Sequence, residues 1–146
     1  MSKKGPRVLE YNVRFGDPET QSCLSLLKSD LAELVLACTQ GKLSECELEI
    51  ENKFAATVVV ASGGYPGSYA KGLPMILHPT SKDVELFHAG TLLEDSRYKT
   101  SGGRVIASTA TGTSLAQAVS SAYTGVRCIE FEGMQFRKDI AARALQ

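Results

Sequence analysis

The sequence predicts an α+β fold, a mainly antiparallel sheet with helices packed beside it, and three observations carry that expectation. Residues 54–62 form a nearly continuous apolar run with Thr57-Val58-Val59-Val60 as its β-branched centre, the composition of a strand buried on both sides. Three more short stretches, 84–89, 91–93 and 104–109, are strand candidates separated by glycine-containing turns, which suits hairpins better than crossovers. Two other stretches repeat apolar residues at steps of three and four, the spacing of a helix that buries one face.

The 146 residues give one domain by length, or one domain carrying a piece of another. With 43% hydrophobic residues the chain can bury a real core. Sixteen basic and sixteen acidic side chains cancel, so the charge balance advertises neither nucleic acid nor a membrane surface. No apolar run reaches the length of a membrane span, and the Met1-Ser2-Lys3-Lys4-Gly5-Pro6 start lacks the apolar centre of a signal peptide. The expected location is the cytoplasm. Cys23, Cys38, Cys46 and Cys128 form no C-x-x-C pair and lie far from His78 and His88, which argues against zinc and for free thiols packed as small apolar groups.

In chain order, a basic lead of seven residues precedes Val8 to Val13, whose alternation and β-branched content predict a strand. Asp17-Pro18-Glu19 then has the form of a helix start: a capping carboxylate, proline where no amide hydrogen is needed, and an acid near the positive end of the dipole. Cys23, Leu24, Leu26, Leu27, Leu31, Leu34, Val35 and Cys38 carry the helical period to about Thr39. Lys28-Ser29-Asp30 is a local stop and a fresh cap, so one helix or two in series both fit. Four glycines and a proline in Ser62 to Gly72 demand a loop. Thr113 or Ser114 caps a helix to about Tyr123, burying Leu115, Ala118, Val119 and Ala122. Val126 to Phe131 is a last strand candidate and Arg137 to Leu145 a last short helix.

The chemistry concentrates near the N-terminus. In a strand, Glu10, Asn12 and Arg14 share one face while Leu9, Tyr11 and Val13 share the other. Glu10 and Asn12 are hard oxygen donors of the kind magnesium takes beside phosphate, although an acid and an amide two apart are also ordinary on a solvated face. The planar fork of Arg14 suits a carboxylate or a phosphate, or a plain surface ion pair. Gly16 to Glu19 present amides at a helix start, where Asp17 itself is a competing cap. Gly67 to Gly72 has the spacing of a phosphate loop, but Leu73-Pro74 replaces the required lysine and hydroxyl. Tyr65, Tyr69 and Lys71 fit either a ligand mouth or a structured turn. His88 falls on the face of Val84 and Leu86, which places it in or beside the core. Arg137-Lys138-Asp139 fits a solvated helix start.

Taken together, Leu9-Glu10-Tyr11-Asn12-Val13-Arg14-Phe15-Gly16-Asp17-Pro18-Glu19-Thr20-Gln21 closely resembles the signature of the phosphoribosylamine–glycine ligase family of the ATP-grasp superfamily. Ala61-Ser62-Gly63-Gly64-Tyr65-Pro66-Gly67, Phe87-His88-Ala89-Gly90-Thr91, Gly102-Gly103-Arg104-Val105, and an aromatic residue before Arg137-Lys138-Asp139-Ile140 extend the resemblance over essentially the whole chain. It implies a purine-synthesis reaction in which ATP phosphorylates glycine and 5-phosphoribosylamine attacks the acyl phosphate. It also implies that Glu10 and Asn12 ligate Mg2+ or Mn2+, and that Arg14, Gly16 and Asp17 lie at the glycine and phosphate positions, with Arg14 and Asp17 catalytic.

By the same resemblance, residues 1–40 are the last strand and helix of an ATP-grasp catalytic domain and residues 41–146 the C-terminal domain. The chain begins nine residues before Glu10, so the other ATP-grasp lobes are expected as partners and turnover is not expected from this chain alone. The competing expectation is a structural or interaction module that keeps the fold without the chemistry. Ala141-Ala142 departs from the glycine usual in the family and touches only the last helix.

Overall fold

The computed structural model describes residues 5–146; the first four residues of the basic lead lie outside that range. Among the described residues, two antiparallel sheets and three α-helices make an α+β architecture. The first sheet holds three strands, β1 (Phe54–Ala61), β3 (Val84–His88) and β6 (Arg104–Gly112), in the order β1-β6-β3. The second holds β2 (Pro74–Leu77), β4 (Thr91–Glu94), β5 (Arg97–Thr100) and β7 (Ile129–Glu130), in the order β4-β5-β2-β7.

β6 is the strand the body is built on. Its register runs Phe54↔Gly112 to Val60↔Ile106 on one side and Val84↔Ala110 to His88↔Ile106 on the other. Six successive residues, Val105 to Ala110, are buried. Hence β6, and not β1, is the strand covered on both faces: β1 alternates, with Ala56, Val58 and Val60 buried and Ala55, Thr57 and Val59 half-buried. A strand at the edge of a sheet has one partner and one fully covered face, so the apolar run of β1 overstates its burial.

Helix α3 (Leu115–Val126) closes the core. Its cap is Ser114, whose hydroxyl accepts from the Gln117 amide, and it turns Ala118, Val119, Ala122, Gly125 and Val126 inward. The small residues matter. A Cβ on Gly125 would lie 2.2 Å from Ser108 Oγ and 2.4 Å from Val84 Cγ1, so only glycine lets the helix approach the sheet this closely. Ser108 Oγ, fully buried, donates to the Ala122 carbonyl at 2.8 Å. Met75 and Ile129 join the same core cluster from the second sheet, and Phe131 from the residue after β7.

The helical zone resolves into two helices, α1 (Glu19–Leu24) and α2 (Leu31–Thr39). Asp30 caps α2 by accepting from Ala32 and Glu33 amides, as the fresh-cap expectation required. Several expectations fail for local reasons. Cys23, Cys38 and Cys46 are exposed instead of packed, because α1 buries no residue, α2 buries only Ala37, and Cys46 ends a 3-10 turn with no buried residue. β2 and β5 escape sequence reading because one opens on a proline and the other, Arg97-Tyr98-Lys99-Thr100, lacks an apolar run. The last strand is two residues long because α3 retains Val126. The expected final helix is reduced to a 3-10 turn at Ala142–Ala144, entered through Ala141 at φ 62°, a left-handed value that no α-helix continues.

Candidate functional site

The signature stretch does not fold as expected. Residues 8–13 have no strand pairing, and Leu9, Tyr11 and Val13 are 96%, 80% and 93% exposed. A lone extended segment leaves its amides and carbonyls to water, and a strand exists only where a neighbour accepts them. With no sheet beside it, the segment has no chemical face and no core face. Glu10, Asn12 and Arg14 are all exposed. Their bonds are local: Asn12 Oδ1 accepts from the Arg14 amide at 3.4 Å, and Arg14 Nη1 donates to the Phe15 carbonyl at 2.9 Å.

Order begins at Gly16, whose carbonyl accepts from both the amide and the hydroxyl of Thr20. Pro18 occupies the cap position of α1 with no side-chain cap bond, so Asp17 is not the N-cap. Its carboxylate turns instead toward β6. Arg104 Nη2 lies 3.1 Å from Asp17 Oδ2, and Arg104 Nη1 donates to the Asp17 carbonyl at 2.8 Å. One guanidinium therefore grips both the side chain and the backbone of a residue 87 positions earlier. Behind it, Ser22 Oγ, Thr57 Oγ1 and Thr109 Oγ1 form a hydroxyl chain with links of 2.6 and 2.8 Å, which seats α1 on β1 and β6.

Beside this clamp is an open cavity of about 580 Å3 edged by Pro18, Tyr65, Arg104, Gln135, Phe136 and Arg137, within the size range of small-molecule sites. The glycine loop shapes one wall. Gln135 Nε2 donates to the carbonyls of Ser62 at 3.1 Å and Tyr65 at 2.8 Å. Gly103 lies flat against the Tyr65 ring, where a Cβ would come 2.2 Å from the ring carbon Cδ2. Ser62 Oγ donates to the Gly102 carbonyl at 2.9 Å. The loop is thus a structured turn; its Tyr65 and Pro66 edge the cavity, whereas Tyr69 and Lys71, the other two residues of the expected ligand mouth, do not.

Arg137 forms a two-bond fork with Asp139, at 3.0 and 2.8 Å. The paired hydrogen bonds raise the guanidinium pKa and lower that of the carboxyl; both groups are well exposed, which fits the solvated reading of this motif. His88 is exposed instead of core, its ring stacked on Tyr98 at 4.7 Å and its Nδ1 3.0 Å from Thr91 Oγ1. Strand alternation set its face correctly, but that face is open at the end of β3.

Sequence reasoning missed Arg104 as the partner of Asp17, and Gln135 as the brace of the loop. The available signal for Arg104 was its place directly after Gly102-Gly103 at the start of a strand. Gln135 carries none.

Residues 55–143 match the family described as phosphoribosylglycinamide synthetase, C domain. The chain is 52% identical over 147 aligned positions to a bifunctional purine biosynthetic protein of Schizosaccharomyces pombe, covering 99% of this chain and 18% of that protein. It is 48% identical to the phosphoribosylamine–glycine ligase of Caldanaerobacter subterraneus, covering 97% of this chain and 34% of the relative. The crystal structure of phosphoribosylamine–glycine ligase from Thermotoga maritima superposes with a TM-score of 0.74 at 33% identity, over 95% of this chain and 34% of that one. The chain thus spans about a third or less of the length of these relatives.

Proposed function

From the premise that the chain belongs to the phosphoribosylglycinamide synthetase family, whose C domain it carries, we propose that it supplies one wall of a phosphoribosylamine–glycine ligase site. In the reaction proposed, ATP phosphorylates the glycine carboxylate to an acyl phosphate with loss of ADP. The amine of 5-phosphoribosylamine then displaces phosphate to form the amide of glycinamide ribonucleotide. Residues 1–40 are read as the edge of the ATP-grasp catalytic domain and residues 41–146 as the C-terminal domain. The remaining ATP-grasp lobes are partners that complete the site, and the setting is the cytoplasm.

The observation that carries this reading is the clamp of Arg104 on Asp17, which ties the end of the signature to the rim of the cavity in the C domain. On this reading Arg14, three residues earlier in the chain, exchanges its bond to the Phe15 carbonyl for the glycine carboxylate or its acyl phosphate, which its planar fork suits. The Gly16 and Asp17 backbone fixes where that fork starts. Asp17 acts by holding this geometry against Arg104.

The donor types of Glu10 and Asn12 suit Mg2+ or Mn2+. Both are exposed, no hydrogen bond or ion pair engages the Glu10 carboxylate among the described residues, and Asn12 Oδ1 accepts a long 3.4 Å contact. A carboxylate and an amide are two hard oxygens of a shell that phosphate oxygens and water fill. Held there, the ion would supply charge stabilisation for phosphoryl transfer, with Glu10 and Asn12 as its protein ligands.

The test is magnesium-dependent ATP binding by the purified chain, read by calorimetry, and its loss in Glu10→Ala. Equal behaviour of wild type and variant would leave the chain as a structural module of its family.

A further inference from the structure

The second sheet lays one face on the core and leaves the other open. In β2, Met75 is buried while Pro74 and Ile76 are exposed, and strand pairing carries that outer face across the sheet. Lys99 stands opposite Pro74, Leu92 opposite Lys99, Arg97 opposite Glu94, and Glu130 opposite Ile76. Ile76 is 56% and Leu92 52% exposed. We propose that this face joins two copies of the chain about a two-fold axis that runs along β2.

The charges on the face select the occupant. Lys99 Nζ donates to Glu94, and His78 Nε2 lies 2.9 Å from Glu130 Oε1, so these pairs are closed within one chain. The side chains of Arg97 and Glu132 have no hydrogen bond or ion pair among the described residues. Arg97 sits on β5, to one side of β2, and Glu132 follows β7, on the other side. A surface with an unpaired cation and an unpaired anion on opposite sides of its centre complements itself, which is what a two-fold contact requires. A partner of one sign, such as an anionic membrane or a nucleic acid, matches one side and is repelled by the other.

Shape follows the same division. Single exposed apolar side chains are ordinary, but here the face holds both a projection and a recess. Beside β7, a groove of about 400 Å3 runs from Pro74 and Ile76 to Phe131, Glu132 and Met134. Leu92 projects from β4, the second strand from β2 in the other direction. With strands about 4.8 Å apart, Leu92 stands roughly 10 Å from the axis, and the far wall of the groove, beyond β7, lies at a similar distance on the opposite side. A half-turn about β2 then lays β5 of one copy over β7 of the other. Arg97 meets Glu130 and Glu132 of the second copy, Leu92 enters its groove, and the two Ile76 side chains meet at the axis. Each contact off the axis is made twice.

The experiment is sedimentation equilibrium of the full chain over a concentration series, for the wild type and for Arg97→Glu, Glu132→Arg and Ile76→Ser. The wild type shows a monomer–dimer equilibrium, and each variant weakens it at least about tenfold, with far-UV circular dichroism confirming that each is folded. Alone, either charge variant sets like charges against each other twice. Mixed in equal amounts, the two charge variants restore both pairs, so a heterodimer forms with close to the wild-type affinity. The proposal is overturned by a wild-type chain that stays monomeric at millimolar concentration, by a dimer that the three variants leave intact, or by a mixture of the charge variants that remains monomeric. Nucleotide binding is read separately, so the ligase reading stands or falls on its own.

Discussion

The body built on β6 and the signature stretch at residues 8–15 are opposite kinds of encoding. In the body, the chain supplies its own partners: Val58, Val60, Val105 and Ile106 are fully buried, and α3 is shaped by small residues to lie on them. In the signature, five large apolar side chains from Val8 to Phe15 are 61% to 96% exposed. The body is a structure whose chemistry is sparse; the signature is a chemistry whose structure is absent. The contrast teaches that a motif is specific at the level of residue types long before it is specific at the level of conformation. Packing requires neighbours within the chain, whereas recognition of a ligand requires only the right groups.

The comparison is sharpened most by truncating the centre of the body. Ile106→Ala is expected to cost about 3 kcal/mol, transfer plus cavity, measured by urea unfolding under far-UV circular dichroism. A cost near zero would mean that β6 is not the keystone.

A smaller effect comes from the rim. The Asp139 carboxyl is held below its ordinary pKa chiefly by the hydrogen bond from Arg137, so its contribution is present above the unfolded value and is lost as pH falls through the folded one. The gap in unfolding midpoint between wild type and Asp139→Asn should therefore close on acidification. A gap that widens in acid would reverse the assignment.

The smallest effect is the one that most directly tests the other half of the comparison. Leu9→Ser and Val13→Ser together should change stability by less than about 0.5 kcal/mol, as exposed positions do. A larger loss would show that the signature is packed after all.

Legibility in the sequence follows the same division. β1, β3, β4 and β6, the two-helix zone and the cap of α3 were readable, because periodicity and capping are local properties that tertiary context here respects. Val8 to Val13 read as a strand for the same local reasons, but a strand is a relation between two segments and only one is at hand. His88 was assigned to the right face and the wrong environment, since alternation gives direction and not depth. Of the candidate site, the donor residues were visible by type. The clamp was not, because it joins residues 17 and 104 and no local pattern links them.

That clamp sets a radius. Gly16 and Asp17 are the last points at which the signature is fastened to the body, and Glu10 stands seven residues before Asp17. A chain of that length extends at most roughly 25 Å, and Asn12 proportionally less. The two oxygen donors are therefore tethered within a small volume beside the cavity rim, at a local concentration far above that of a free peptide. Release of Asp17 by Arg104 would free both donors from that volume.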